Sequence, residues 1–517
     1  MNGAHALLAT LEANNVTTCF ANPGTSEMHF VASLDDAPSM KAILCLFEGV
    51  ATGAADGYAR VSSRAACTLL HLGPGLANGW ANLHNARRAH VPLLTIVGDH
   101  ATYHTQYDAP LQSDIGALAS ALEGWQRRVL APEHVARDTA DALSAAYGPP
   151  GQVATLILPA DASWGDVTHG GPWPVAVRRS PSACDDADLA AATHALRGTR
   201  AAILLGGSAL DAEQLTLAQR VAHASGARLL LETFPSILER GGGLAAPERV
   251  IYLSEFALAQ LKDVETLILV GAQEPVGFFA YPDVASRLVD PATTVIDLAP
   301  PGTDTRTSLL ELATALHAPP VETGRVELVS EPNGALTTQS FAAAIGATMI
   351  DDLIVADESN TSGVHLFGAT QHGPRHRWMT LTGGAIGYGL PVALGAAVAS
   401  GGRVLCLESD GSLMYTPQAL WTMARESLDV TVVALSNRSY AILNLERQRV
   451  GASREGATSQ RMLELDDPPL DLCALATGLG VPAVRATSAD ELVLALRRSY
   501  ATPGPMVIEA VLPKGLS

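Results

Sequence analysis

Short apolar runs rich in β-branched residues recur along this chain, separated by longer Ala/Leu-rich stretches. TTCFANPG, AILCLF, ACTLLHL, LLTIVGD and ATLILP come first; AAILLGG, RLLLET, ETLILVGA and TTVIDLA follow; LIVADES, RVLCLESDG, VTVVALSN and PMVIEAVL come last. Runs of this length and character read as buried strands, and strands joined by helical crossovers build parallel sheets covered by helices on both faces. Two stretches rich in Pro, Gly and charge interrupt the alternation: THGGPWPVAVRRSPSA from Thr168 and HAPPVETGRVELVSEPNGA from His317. The chain therefore reads as an α/β protein of three doubly wound parallel-sheet domains, spanning 1–170, 183–320 and 335–517. Its 517 residues exceed what one core can organise and match three domains of the usual size.

In such sheets ligands collect beyond the carboxyl ends of the strands. The residues that matter for function are then NPGTSE, FEGVA, LHLGPG, VGDH, DESNTSG, LESDGS and LSNRSY. A formal net charge of -19 argues against nucleic acid and against an anionic membrane surface, since both need Lys and Arg. No window approaches a membrane span, and MNGAHALLATLEANNV lacks a basic n-region and a cleavage site, so a cytoplasmic protein is expected. The six cysteines are scattered without a CxxC pair and read as core residues in a reducing compartment. A small-molecule ligand is the expectation.

Two places carry chemistry. In AILCLFEGVATGAADGYAR, Glu48 is a lone carboxylate in a run of small and apolar residues, where an unpaired charge is too costly to keep without a partner. In RVLCLESDGSLMYTPQALWTMARE, a strand leads into Asp410-Gly411-Ser412 and then a helix with Thr416 as its expected N-cap; the next strand ends at Asn437. One helix and one strand separate Asp410 from Asn437, so both emerge at one sheet edge. A carboxylate, an amide oxygen and a backbone carbonyl suit Mg²⁺, and Gly411 with Ser412 suits a phosphate. Taken alone, the pair reads equally well as a strand-end turn and a loop Asn.

With these motifs in view, the chain resembles the thiamine-diphosphate (ThDP) enzymes of the acetolactate synthase, benzoylformate decarboxylase and pyruvate decarboxylase group. FEGVATGAADGYAR matches the group's glutamate motif, TGGAIGYGLPVALGAA its turn motif, and SDGS with Asn437 its diphosphate motif, in the family's order. The resemblance implies an N-terminal pyrimidine-binding domain, a Rossmann-like central domain that carries a flavin in some relatives, and a C-terminal diphosphate and Mg²⁺ domain. It implies an active site between two subunits, hence a homo-oligomer, a dimer of dimers by expectation.

By the same resemblance, Glu48 hydrogen-bonds a ring nitrogen of the aminopyrimidine, Ile386 is the wedge that bends the cofactor, and the Gly384 carbonyl accepts from its exocyclic amine. Pro23 and Gly24 of the NPG loop border the cofactor. Asn360, Thr361, Gly411, Ser412 and Tyr440 sit where relatives hold the diphosphate, and Asp410, Asn437 and the Ser439 carbonyl hold the metal. His71 corresponds to a proton-transferring histidine of benzoylformate decarboxylase, and Thr25 to that enzyme's active-site serine. Phe278 or Phe279 stands in place of its second histidine. GPGLAN and LQSDI fit an acetolactate synthase.

The implied activity is decarboxylation of a 2-oxo acid with transfer of the resulting acyl carbanion, a carboligase like acetolactate synthase. A decarboxylase of benzoylformate decarboxylase type stays open, as does a catalytically quiet ThDP-fold partner. So does a flavin or nicotinamide oxidoreductase that reads Gly73-Pro74-Gly75-x-x-Asn78-Gly79 as a dinucleotide turn, a weak variant of that motif. FAD is possible but nothing in the sequence supports it.

Overall fold

The computed structural model describes every residue except 169, 170, 199, 323, 453, 455 and 515–517. Two expected boundaries, at 170 and 517, lie outside the described residues. Three sheets organise the chain, each with helices on both faces, as the alternation of runs predicts.

The first sheet contains β1 (Thr18–Ala21), β2 (Lys41–Leu44), β3 (Ala66–Leu70), β4 (Leu93–Asp99), β5 (Gln126–Arg128) and β6 (Val153–Pro159). Its order is β2-β1-β3-β4-β6-β5, all parallel. Successive side chains point to opposite faces, so Phe20, Leu70 and Val97 enter one core while Cys19, Leu69 and Ile96 enter another. The second sheet contains β7 (Ala201–Leu205), β8 (Arg228–Leu231), β10 (Glu248–Arg249), β11 (Thr266–Val270) and β12 (Thr294–Ala299), in the order β10-β8-β7-β11-β12.

The third sheet runs β17-β18-β16-β15-β13-β14-β9. Its members are β9 (Leu238–Arg240), β13 (Leu353–Glu358), β14 (His376–Thr380), β15 (Val404–Ser409), β16 (Val430–Ser436), β17 (Ala483–Ala486) and β18 (Met506–Val511). β9 leaves the middle of the chain to pair antiparallel with β14, closing the edge of this sheet.

One core serves both the first and third sheets, and two helices cross inside it: Glu48–Ser62 and Gly389–Ser400. Their backbones nearly touch. A Cβ on Gly57 would lie 2.1 Å from the Val392 carbonyl oxygen, and one on Gly395 would lie 1.8 Å from that of Ala54. The small residues around Glu48 thus pack against a helix of the same chain. A fully buried ion pair, Asp56 with Arg60, closes the contact. Among the described residues, no helix is long and apolar enough to cross a membrane.

Candidate active site

AILCLF was expected to continue as a strand to Phe47, but β2 stops at Leu44 and Glu48 opens a helix. Its side chain is buried, and Oε2 accepts a hydrogen bond from Asn78 Nδ2 at 3.0 Å. Asn78 comes from the helix Leu72–Arg88, where Gly75 also makes room: a Cβ there would lie 3.1 Å from Glu48 Oε1. The glycines read as a dinucleotide turn are therefore the first turns of a helix that cradles a carboxylate. A carboxylate beside Gly75 repels a pyrophosphate, which counts against the oxidoreductase reading. Glu48 Oε1 accepts no hydrogen bond from a described residue.

His71 follows β3 and stands at the N-cap of the same helix. Its Nδ1 lies 2.8 Å from Glu27 Oε2 and 3.5 Å from Ser26 Oγ. Glu27 is almost fully buried and also accepts from the Gly24 amide at 2.8 Å and the Ser26 hydroxyl at 2.6 Å. Gly24 packs flat on the imidazole, since a Cβ there would sit 2.2 Å from His71 Nδ1. Thr25, expected beside His71, is exposed at the start of the short turn Thr25–Glu27 and makes no hydrogen bond to His71 among the described residues. The residue that pairs with His71 is Glu27. Its signal in the sequence is slight, because an acid three residues after a turn glycine also reads as a local cap.

At the edge of the third sheet, β15 and β16 bring Asp410 and Asn437 together. Asp410 Oδ2 accepts from the Arg438 amide at 2.6 Å and Oδ1 from the Gly411 amide at 2.8 Å, while Asn437 Oδ1 accepts from the Ser439 amide at 2.9 Å. Burial raises the Asp410 carboxyl above its ordinary value, and the Arg438 and Gly411 amides oppose the shift. Asn360 Nδ2 donates to the hydroxyls of Ser409 and Ser412 at 3.1 and 3.2 Å, and Thr361 follows it in the turn Asn360–Gly363. Tyr440 lays its ring on Gly411, where a Cβ would meet the ring at 2.5 Å. The Ser439 hydroxyl donates to the Leu463 carbonyl.

The turn carrying Gly384 and Ile386 is gripped from several sides. Gly384 and Gly387 have φ of 74 and 90, a left-handed backbone that favours glycine. Asn85 bonds both the carbonyl and the amide of Ala385, and Asn82 Nδ2 bridges the Gly49 carbonyl at 2.8 Å and the Gly387 carbonyl at 3.2 Å. Thr416 was expected to cap its helix, yet its hydroxyl donates to the Gly387 carbonyl at 3.0 Å, and Pro417 holds the cap position. Phe278 leans on Gly384 and stacks edgewise on Phe279 at 5.0 Å between ring centroids. Glu358, at the end of β13, accepts from the amides of Gly387, Tyr388 and Gly389. Burial pushes Glu358 up to about 7 against the lowering effect of those amides, and pushes its neighbour Glu408 well above the carboxylate range.

The donors fit ThDP and Mg²⁺. Among the described residues no cluster of three or more His, Cys, Asp or Glu could hold a metal; the expected Mg²⁺ ligands are one carboxylate, one amide and a carbonyl. Arg438 Nε, beside Asp410, is buried without a hydrogen-bond partner. A flavin in the central domain fits poorly: the Gly207 amide, in the turn after β7 where a pyrophosphate would lie, donates to the Glu232 carboxylate at 2.9 Å.

These features define a ThDP enzyme. Residues 1–121 match the family model described as thiamine pyrophosphate enzyme, N-terminal TPP binding domain, and residues 360–510 match its C-terminal TPP binding domain. The chain belongs to this family. It is 52% identical over 519 residues, 99% of each chain, to "Putative acetolactate synthase large subunit IlvX" of Mycobacterium tuberculosis. It is 29% identical over 541 residues, 96% of each chain, to a benzoylformate decarboxylase of Pseudomonas aeruginosa. In fold it is similar to a ThDP-dependent 4-hydroxybenzoylformate decarboxylase of Rhodococcus jostii, with a TM-score of 0.86 at 22% identity over 100% of both chains.

Proposed function

We propose that this chain is a ThDP- and Mg²⁺-dependent enzyme that decarboxylates a 2-oxo acid and transfers the acyl carbanion to a second carbonyl compound, like an acetolactate synthase. ThDP, when bound, supplies the electron sink that lets the 2-oxo acid release carbon dioxide. Asp410, Asn437 and the Ser439 carbonyl would hold Mg²⁺; Asn360, Thr361, Gly411, Ser412 and Tyr440 would hold the diphosphate. Gly384 and Ile386 would shape the cofactor, with Pro23 and Gly24 at its border. Glu48 would share a proton through Oε1 with a ring nitrogen, while Asn78 fixes its other oxygen. His71, held by Glu27, would move protons at the substrate, and Thr25 would line its entry.

The observation that carries this reading is a buried Glu48 with one oxygen fixed and the other open, in the same chain as the Asp410–Asn437 edge. A catalytically quiet partner would need neither. The same reading takes the domains as 1–170, 183–320 and 335–517, the assembly as a dimer of dimers, and the compartment as the cytoplasm, on the strength of the family resemblance and the sequence. A second outcome, protonation to an aldehyde as in benzoylformate decarboxylase, is favoured by the His71–Glu27 pair. Purified protein with ThDP and Mg²⁺ is incubated with pyruvate and, separately, with benzoylformate. A hydroxy-keto acid product supports ligation, an aldehyde supports the second reading, and no product from either substrate contradicts both.

A further inference from the structure

Glu358 ends a strand with its carboxylate almost wholly buried, yet it faces no basic side chain in hydrogen-bond contact. Its partners are three consecutive backbone amides and the neighbouring Glu408 carboxyl. Gly387 N donates to Oε1 at 2.9 Å; Tyr388 N and Gly389 N donate to Oε2 at 2.8 and 2.6 Å. These amides lead from the turn that holds Ile386 into the helix Gly389–Ser400, and the first amides of a helix have no partners within it. A carboxylate supplied by a distant strand satisfies them, favoured also by the positive end of the helix dipole.

The same residue faces the other side of the site. Its backbone carbonyl accepts from the Ser409 hydroxyl at 3.1 Å, and that hydroxyl oxygen accepts from Asn360 Nδ2 at 3.1 Å. Asn360 also reaches Ser412. Glu358 therefore joins two loops separated by one helix and one strand: the turn of Gly384 and Ile386, and the loop Ser409–Ser412. There is no slack on the helix side, because a Cβ on Gly389 would lie 2.1 Å from Glu408 Oε2 and 3.2 Å from Glu358 Cβ.

We propose that Glu358 is a positioning residue that fixes the Ile386 turn at a set height above the diphosphate loop, so that a bound cofactor meets both ends of its site already spaced. This rests on the ThDP reading of Ile386, Asn360 and Ser412. Displacing a reacting group by about 1 Å can cost on the order of 10²-fold in rate, so the effect falls on turnover and cofactor affinity, with little on substrate capture.

Full-length wild-type protein and Glu358→Gln are compared by ThDP titration calorimetry, steady-state kinetics and hydrogen exchange of the cofactor-free protein. Gln offers one acceptor oxygen and turns an NH₂ toward the amides. The expected result is ThDP binding weakened by about 10-fold, kcat lowered by about 10²-fold, KM for the 2-oxo acid within about 2-fold, and faster exchange at residues 387–389. Wild-type affinity, kcat and exchange in Glu358→Gln overturn the proposal. Should the variant not fold, rapid exchange at residues 387–389 in the wild-type apoprotein overturns it, and core-level protection there supports it. Failure of the wild type to bind ThDP would instead overturn the cofactor reading itself.

Discussion

Replacing Arg60 by Met should destabilise the protein more than any exposed substitution, and the structure says by how much. The Arg60 side chain is wholly buried, with Nε and Nη2 on the two oxygens of Asp56 at 2.8 and 2.7 Å. Nη1 donates to the carbonyls of Ser236 and Thr380, both at 2.9 Å, and to the Tyr388 hydroxyl at 3.0 Å; Nη2 also reaches Thr382 Oγ1 at 3.1 Å. One guanidinium thus ties the Glu48 helix to the strand and turn that carry Ile386. Removing one partner of a buried pair costs about 3–5 kcal/mol, because the other charge is left unpaired. Each orphaned buried acceptor adds about 1–3 kcal/mol. With even one acceptor orphaned the total is about 4–8 kcal/mol, a large share of the ~5–15 kcal/mol that holds a domain folded. Urea unfolding followed by tryptophan fluorescence reports it, since Trp378 is fully buried in the third sheet. The double variant Asp56→Leu with Arg60→Met should recover part of the loss, because no buried charge remains unpaired. A single variant within about 1 kcal/mol of wild type, or a double variant no better than the single, would refute this reasoning.

Two further outcomes follow. Glu27→Gln removes the anionic partner of His71, so turnover should fall by about 10²-fold or more with ThDP affinity unchanged; steady-state kinetics and calorimetry check this, and undiminished turnover would exclude the pair from proton transfer. His376 is buried with Nε2 unpartnered, and burial with nearby Arg240 pushes it down to about 4. Its pKa is lower folded than unfolded, so the unfolded chain binds more protons between the two values. Stability is full above about pH 6.5 and falls toward pH 4, by on the order of 2–3 kcal/mol. His376→Asn should flatten that acid limb in urea midpoints measured across the range, and an unchanged slope would contradict the assignment.

Glu48, Asp410 and Asn437 stand out in the sequence for physical reasons. A carboxylate in an apolar run demands a partner, and polar residues after consecutive buried strands must converge on one edge. The partners are less visible. Asn78 reads as one helix residue among many, and Asn82 and Asn85 act on a turn about three hundred positions away. Glu27 and Glu358 look like ordinary acids at a turn and a strand end, because Glu27 meets His71 from 44 positions away and both accept from backbone amides, which leave no mark on composition. Among the strands, β9 escapes notice at three residues long, and β14 is obscured by the polar His-Arg of HRWMT. Packing of the Glu48 helix against Gly389–Ser400 is implied by small residues on both, though not which chain supplies the partner.

The central claim is that Glu48 and a bound ThDP together release carbon dioxide from a 2-oxo acid. It is tested most directly by measuring carbon dioxide release from a panel of 2-oxo acids, pyruvate and benzoylformate included, with wild-type protein and Glu48→Gln, each supplied with ThDP and Mg²⁺. Release by the wild type and its loss in a folded, ThDP-binding Glu48→Gln variant are the predicted result. No release from any 2-oxo acid, or equal release by both proteins, would contradict the account.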